Sequence, residues 1–243
     1  MNETRRHYLL LTLALGTTTF IGFSSTYFGP MAAGTYPAVS PTVHLHGWSF
    51  FLWYLILPLQ AGLVSAKRVR VHRRLGTASV ALAVVMVSTG LTVATVQIDR
   101  ALPPDGSPFW KLNGPLILAT LVVFAVFYVL AMRFRKDREF HKRCMIIASA
   151  GGLGAAAFRI FMMAGMNPGI APVVGVAACG FFVVAGMVYD QVRESRIHPV
   201  YRWGLAAVLA PAVIVYPVTL SPAGPVLARA IAALGRALAI LYV

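Results

Sequence analysis

Apolar residues run in long blocks separated by short polar stretches. A helix needs about 20 mostly apolar residues to cross a bilayer. Seven blocks meet that length: Tyr8–Phe28, His46–Ser65, Leu75–Gln97, Trp110–Met132, Lys142–Ala164, Ile170–Tyr189 and Tyr201–Leu220. Between them, Gly29-Pro30, Pro103-Pro104-Asp105-Gly106 and Asn167-Pro168-Gly169 are turn chemistry. No soluble domain fits anywhere, so residues 1–243 read as a single domain. Arg5 and Arg6 precede the first block as they would in a signal peptide. The block is long and lacks an early cleavage site, so a retained anchor is expected. The tail, Pro222–Val243, carries Arg229 and Arg236 seven residues apart and therefore on one face. It reads as a short amphipathic helix on the outer surface, because an eighth span would bury a guanidinium at a cost of about 2.5–3.5 kcal/mol.

Composition agrees and removes other classes. Hydrophobic residues make up 58% of the 243 and charged residues 12%, against about 25% charged in soluble domains. The net charge of +14 would suggest nucleic acid in a soluble protein. Here the charges report topology. Sixteen of the 21 basic residues lie on alternate polar segments: Arg5 and Arg6; Lys67 to Arg74; Arg133 to Arg143; Arg193 to Arg202. The positive-inside rule places these segments and the N-terminus in the cytoplasm, where they face anionic lipids of that leaflet. The expectation is an all-α polytopic bundle of seven transmembrane helices with the N-terminus in the cytoplasm and no nucleic-acid partner.

Small residues predict one close helix pair. Gly151/Ala155 and Gly152/Ala156 repeat at four-residue spacing in the fifth block, as do Ala171, Gly175 and Cys179 in the sixth. Apolar burial does not drive association in lipid, so close backbone approach must. The short Asn167-Pro168-Gly169 link makes the two blocks antiparallel neighbours, and we expect their contact to be the tightest. The same pattern suits a homodimer face. Cys144 and Cys179 read as buried small hydrophobes, not a disulfide.

The chemistry-bearing residues sit near block ends. His72, His141 and His198 each lead into an apolar block on the cytoplasmic side, and Asp190 ends the sixth block there. Three imidazoles and a carboxylate form a candidate site for a transition metal, or a proton relay. His72 and His141 alone offer an axial pair for one haem. The outer side has only His44 and His46 from one helix end, so a two-haem relay across the membrane is not supported. An outer pocket is expected from His44, His46, Trp53, Gln60 and Arg159; His46, Trp53 and Gln60 share a face at seven-residue spacing. Arg159 is the basic residue well inside a span, five turns from His141 on the same side. Asp99 is its candidate partner. HExxH, GxSxG, P-loop and dinucleotide-binding glycine motifs are absent, as are clustered desaturase histidine boxes. No lysine occupies the middle of the seventh block, which excludes a retinal Schiff base.

Four strings together resemble a group of bacterial multi-histidine membrane proteins of unknown function: His44-Leu-His46-Gly-Trp-Ser-Phe-Phe-Leu-Trp, His72-Arg-Arg-Leu-Gly, His141-Lys-Arg-Cys-Met, and Asp190 followed by Arg196-Ile-His198-Pro. The resemblance spans residues 40–205 and implies a multi-span inner-membrane protein without implying an activity. Cys144 stands where the group leads us to expect leucine.

Three function classes follow. The first is a metal- or haem-binding membrane protein using His72, His141, His198 and Asp190. The second is a transporter or lipid-handling protein using Arg159 and Gln60. The third is a non-catalytic subunit of a membrane complex.

Overall fold

The computed structural model describes residues 3–242, which form helices joined by short turns, with no strand among them. We label the helices α1 (Glu3–Ala32), α2 (Pro41–Ser65), α3 (Val69–Ala101), α4 (Pro108–Arg133), α5 (Arg138–Gly152), α6 (Gly154–Met163), α7 (Ala171–Glu194), α8 (Pro199–Leu220) and α9 (Gly224–Leu241). Their starts follow local chemistry. Ser40 Oγ accepts from Thr42 N–H before Pro41, and Asp137 Oδ1 accepts from the Glu139 and Phe140 amides at 3.0 Å each. The ladder of α8 widens to a π turn at Pro211–Val215, where Pro211 has no N–H to donate.

Seven helices among the described residues are individually long and apolar enough to cross a membrane: α1, α2, α3, α4, α7, α8 and α9. The fifth expected span is instead a broken one, with α5 and α6 meeting at a 48° bend. Its cause is visible at Ser149. Tyr54 of α2 donates to the Ser149 carbonyl at 2.6 Å, and Trp53 Nε1 donates to its Oγ at 3.2 Å. Side chains inserted at a helical ladder, next to three glycines, bend it. This joint also directs the packing. α1 lies along α6 and touches α5 only sparsely, while its first turns meet α7 through His7 stacked on Tyr189.

Three residues separate the end of α8 on the outer side from the start of α9, whose own end lies beside the outer end of α3. Arg236 pairs with Asp99 at 2.6 Å, Tyr242 accepts from Gln97, and the Leu241 carbonyl accepts from Thr42. A helix that begins and ends on one side does not cross. The chain therefore spans seven times, through α1, α2, α3, α4, the bent pair α5–α6, α7 and α8. α9 packs along α3 with Ala228, Ala232 and Gly235 buried on one face.

The expected antiparallel neighbours do meet: a Cβ on Gly175 would lie 2.5 Å from the Phe158 amide nitrogen. The other small residues of that stripe face different helices. Gly22 of α1 rests on the Ala156 carbonyl, and Gly151 rests on Val123 of α4. The contact of α4 with α5 is the most extensive in the bundle.

Candidate functional site: the cytoplasmic cavity

Where α1 and α5 part, a cavity of about 820 Å³ opens between α1, α2, α3, the end of α4 and α5. Its inner wall is apolar, with Trp53, Ile56, Leu57, Met132, Met145 and Ile146. Arg5, Arg73, Arg135, Lys136, Arg138 and Lys142 also line it. By the basic-segment rule this is its cytoplasmic end. A cation-rich rim over an apolar wall suits an anionic group attached to an apolar body.

His72 on α3 and His141 on α5 both line this cavity, and their ring centroids lie 6.5 Å apart with planes at 85°. Each ring is oriented through Nδ1. His141 Nδ1 donates to the Ala131 carbonyl at 2.9 Å. Gln60, with its amide nitrogen toward His72, donates to His72 Nδ1 at 2.8 Å and to the His72 carbonyl at 3.2 Å, and accepts from Gly76 N–H at 2.9 Å. Both Nε2 atoms are left without a hydrogen-bond partner among the described residues. In this arrangement His72 presents a donor and His141 an acceptor.

His198 and Asp190 do not join this pair. Among the described residues no three His, Cys, Asp or Glu side chains come close enough to hold a metal ion. Asp190 is fully buried and held by Arg143, whose Nε donates to Oδ2 at 2.8 Å and Nη2 to Oδ1 at 2.7 Å. The His198 backbone N–H takes a further place on Oδ2 at 3.2 Å. Arg143 is itself fully buried and also faces Glu139 and Glu194. This network ties α5 to α7 and to the start of α8, so the Asp190 carboxylate is committed to structure. Beside it, Tyr8 and Tyr201 share a hydroxyl contact at 3.3 Å.

His198 serves as a cap, its Nδ1 accepting from Val200 N–H at 3.2 Å. Burial, and then the Arg143 guanidinium, lower its pKa below the ordinary histidine value. The folded chain therefore binds this proton less readily than the unfolded chain, and stability falls as pH drops below about 6.5. We expect His198→Asn, which caps without titrating, to flatten that part of a thermal-stability profile measured against pH. An unchanged slope would remove His198 as its origin.

The expected outer pocket separates into different places. His46, Trp53 and Gln60 share a face but are spread over about 21 Å of helix at 1.5 Å per residue. Gln60 belongs to the cytoplasmic cavity. Trp53 fills the core between Ser149, Phe124 and Tyr128 and reaches the same cavity's inner wall. His46 faces α3, with Nδ1 at 3.2 Å from the Met86 carbonyl and 3.3 Å from Thr89 Oγ1. Gly90 leaves room for it, since a Cβ there would sit 2.7 Å from His46 Cε1. His44 Nδ1 lies 3.0 Å from the Tyr27 hydroxyl. Arg159 touches neither histidine by any hydrogen bond, and Asp99 is paired with Arg236 instead of Arg159.

Arg143 is the residue that sequence reasoning misplaced. It counts among the basic loop residues, yet it lies inside the bundle. Asp190 carried the signal: an acid at the end of an apolar span needs a cation at matching depth. Comparison with family models, with curated proteins and with solved structures finds no match.

Proposed function

We propose that this chain is a bacterial inner-membrane protein that binds one b-type haem in the cytoplasmic cavity, with His72 and His141 as the axial pair. The pairing of these two imidazoles at 6.5 Å carries this reading. Both rings line one cavity close to each other, so His72 and His141 would be the residues to hold a haem iron there. A bare ion would need further protein ligands, and no third candidate is near among the described residues. A porphyrin supplies four of six ligands itself and asks the protein for two.

The rest of the cavity supports the same group. Its apolar wall suits the macrocycle, and its basic residues suit two propionates and the anionic headgroups of the cytoplasmic leaflet. The Ala131 carbonyl holds His141 in the tautomer that leaves Nε2 free to ligate. Ligation through His72 Nε2 would require the proton on Nδ1, and with it a Gln60 amide that gives up its present bonds to the His72 carbonyl and Gly76 N–H. When bound, such a group supplies one-electron transfer. The protein's part is to fix two rings, exclude water with apolar side chains and neutralise carboxylates.

The full-length protein, expressed with haem supplied and purified in detergent, is expected to show a Soret band and about one haem per chain. His72→Ala and His141→Ala should each abolish that band while the chain stays folded. A haem-loaded preparation without a Soret band, or a band of unchanged position and intensity in both variants, would overturn the assignment.

A further inference from the structure

Arg159 lies at the other end of the bundle from the cavity, and its charge is unanswered. The chain has seven Asp and Glu side chains. Glu139, Asp190 and Glu194 face Arg143, Glu3 faces Arg193, and Asp99 faces Arg236. Asp137 caps α5, and Asp105 lies in the turn between α3 and α4. None of them pairs with Arg159. An arginine within a span that has no counter-ion is costly unless something anionic reaches it.

The guanidinium is held instead by neutral groups. Nε donates to Thr26 Oγ1 at 3.0 Å, and Nη1 donates to the Ala155 carbonyl at 2.6 Å. The rings of Phe23 and Phe158 lie 4.3 and 4.6 Å from Cζ. Tyr36 packs on Tyr27, the neighbour of Thr26, with ring centroids 5.0 Å apart. Thr26 sits in a π-helical turn of α1, Ser24–Phe28, six residues before the helix ends at Ala32. At about 1.5 Å per residue this puts the guanidinium about 9 Å below the end of α1. It is also not reaching outward, because Ala155 lies one turn nearer the middle of the bundle. Arg159 is partly exposed and Thr26 is exposed. The group is therefore fixed in place, open on one side and short of a negative partner.

We propose that Arg159, with Thr26, forms a seat just below the outer surface for the oxyanion of a membrane amphiphile. The guanidinium fork matches a carboxylate or a phosphate, and the Thr26 hydroxyl, 3.0 Å from Nε, has its own proton to donate beside it. The aromatic faces on either side suit the first carbons of an acyl chain. This seat is independent of the haem reading, since none of its residues lines the cytoplasmic cavity.

The test uses full-length protein in phosphatidylcholine nanodiscs containing a minor fraction of either phosphatidylglycerol or oleate. Native mass spectrometry counts the anionic amphiphiles that stay bound after release from the disc. Wild type is expected to retain about one more than Arg159→Gln, with apparent affinity at least about tenfold higher. The arm that shows the difference identifies phosphate or carboxylate as the preferred oxyanion. Arg236→Gln, which removes a cation already paired with Asp99, should retain the wild-type number. Equal retention by wild type and Arg159→Gln in both arms would overturn the proposal, as would equal retention of phosphatidylcholine alone. Should the Gln variant fail to fold, Thr26→Val leaves the charge in place and is expected to weaken retention. Full retention in that variant would count against the seat.

Discussion

Arg143→Leu is expected to cost the folded protein about 3–5 kcal/mol, because it leaves the Asp190 carboxylate buried with only one backbone donor. Asp190→Leu should cost less. The guanidinium it strands still faces Glu139 Oε2 at 2.5 Å and Glu194 Oε1 at 3.1 Å, and both glutamates are about half exposed. The double variant Arg143→Leu/Asp190→Leu is expected to recover a large part of the loss. Two apolar side chains in that space have no charge to desolvate. Unfolding in detergent by heat or by mixed-micelle denaturant measures all three. A single Arg143→Leu change within about 1 kcal/mol of wild type would mean that the pair contributes no more than a surface bridge. The same pair accounts for the failure of Asp190 as a metal ligand: a carboxylate that already accepts three hydrogen bonds has little left to offer an ion.

Gly22→Ala is expected to be the next most damaging change, at about 1–3 kcal/mol. The added methyl group would collide with the Ala156 backbone carbonyl. A backbone atom has no rotamer to escape into, so α1 and α6 must separate. Gly175→Ala should behave alike, since its methyl would meet the Phe158 backbone. Gly62→Ala is the matched comparison. Nothing lies within 4 Å of that position, and alanine is the better helix former, so no loss is expected. If Gly62→Ala and Gly22→Ala unfold alike, close backbone approach is not what holds α1 on the bent span.

Much of the architecture was legible along the chain because the bilayer imposes few solutions. Long apolar blocks must become helices, and alternating basic segments set their direction. The tail illustrates both the reach of this reasoning and its limit. Length and apolarity alone admit α9 as a span. Its two arginines argued for the surface, and the contacts of its last turn with Thr42, Asp99 and Gln97 agree with that. The bend at Leu153 was not legible. Three glycines permit a kink, but the Tyr54 and Trp53 bonds to Ser149 that impose it come from a helix nearly 100 residues away.

The histidines divide along the same line. Sequence alone determined that His72, His141 and His198 lie at the cytoplasmic ends of their helices, because position in a span fixes depth. It could not determine which of them meet, because depth says nothing about rotation and neighbours. Tertiary structure brought His72 to His141, turned His198 into a helix cap and gave Asp190 to Arg143. The stripe His46, Trp53, Gln60 shows the complementary error: a shared helical face is not a shared level, and these residues serve different parts of the bundle. Arg159 kept the place that its sequence position assigned, in the outer half of its span, while its expected partner Asp99 went to Arg236. A single helix determines where a residue sits along the membrane normal; only the packing of several helices decides what it faces.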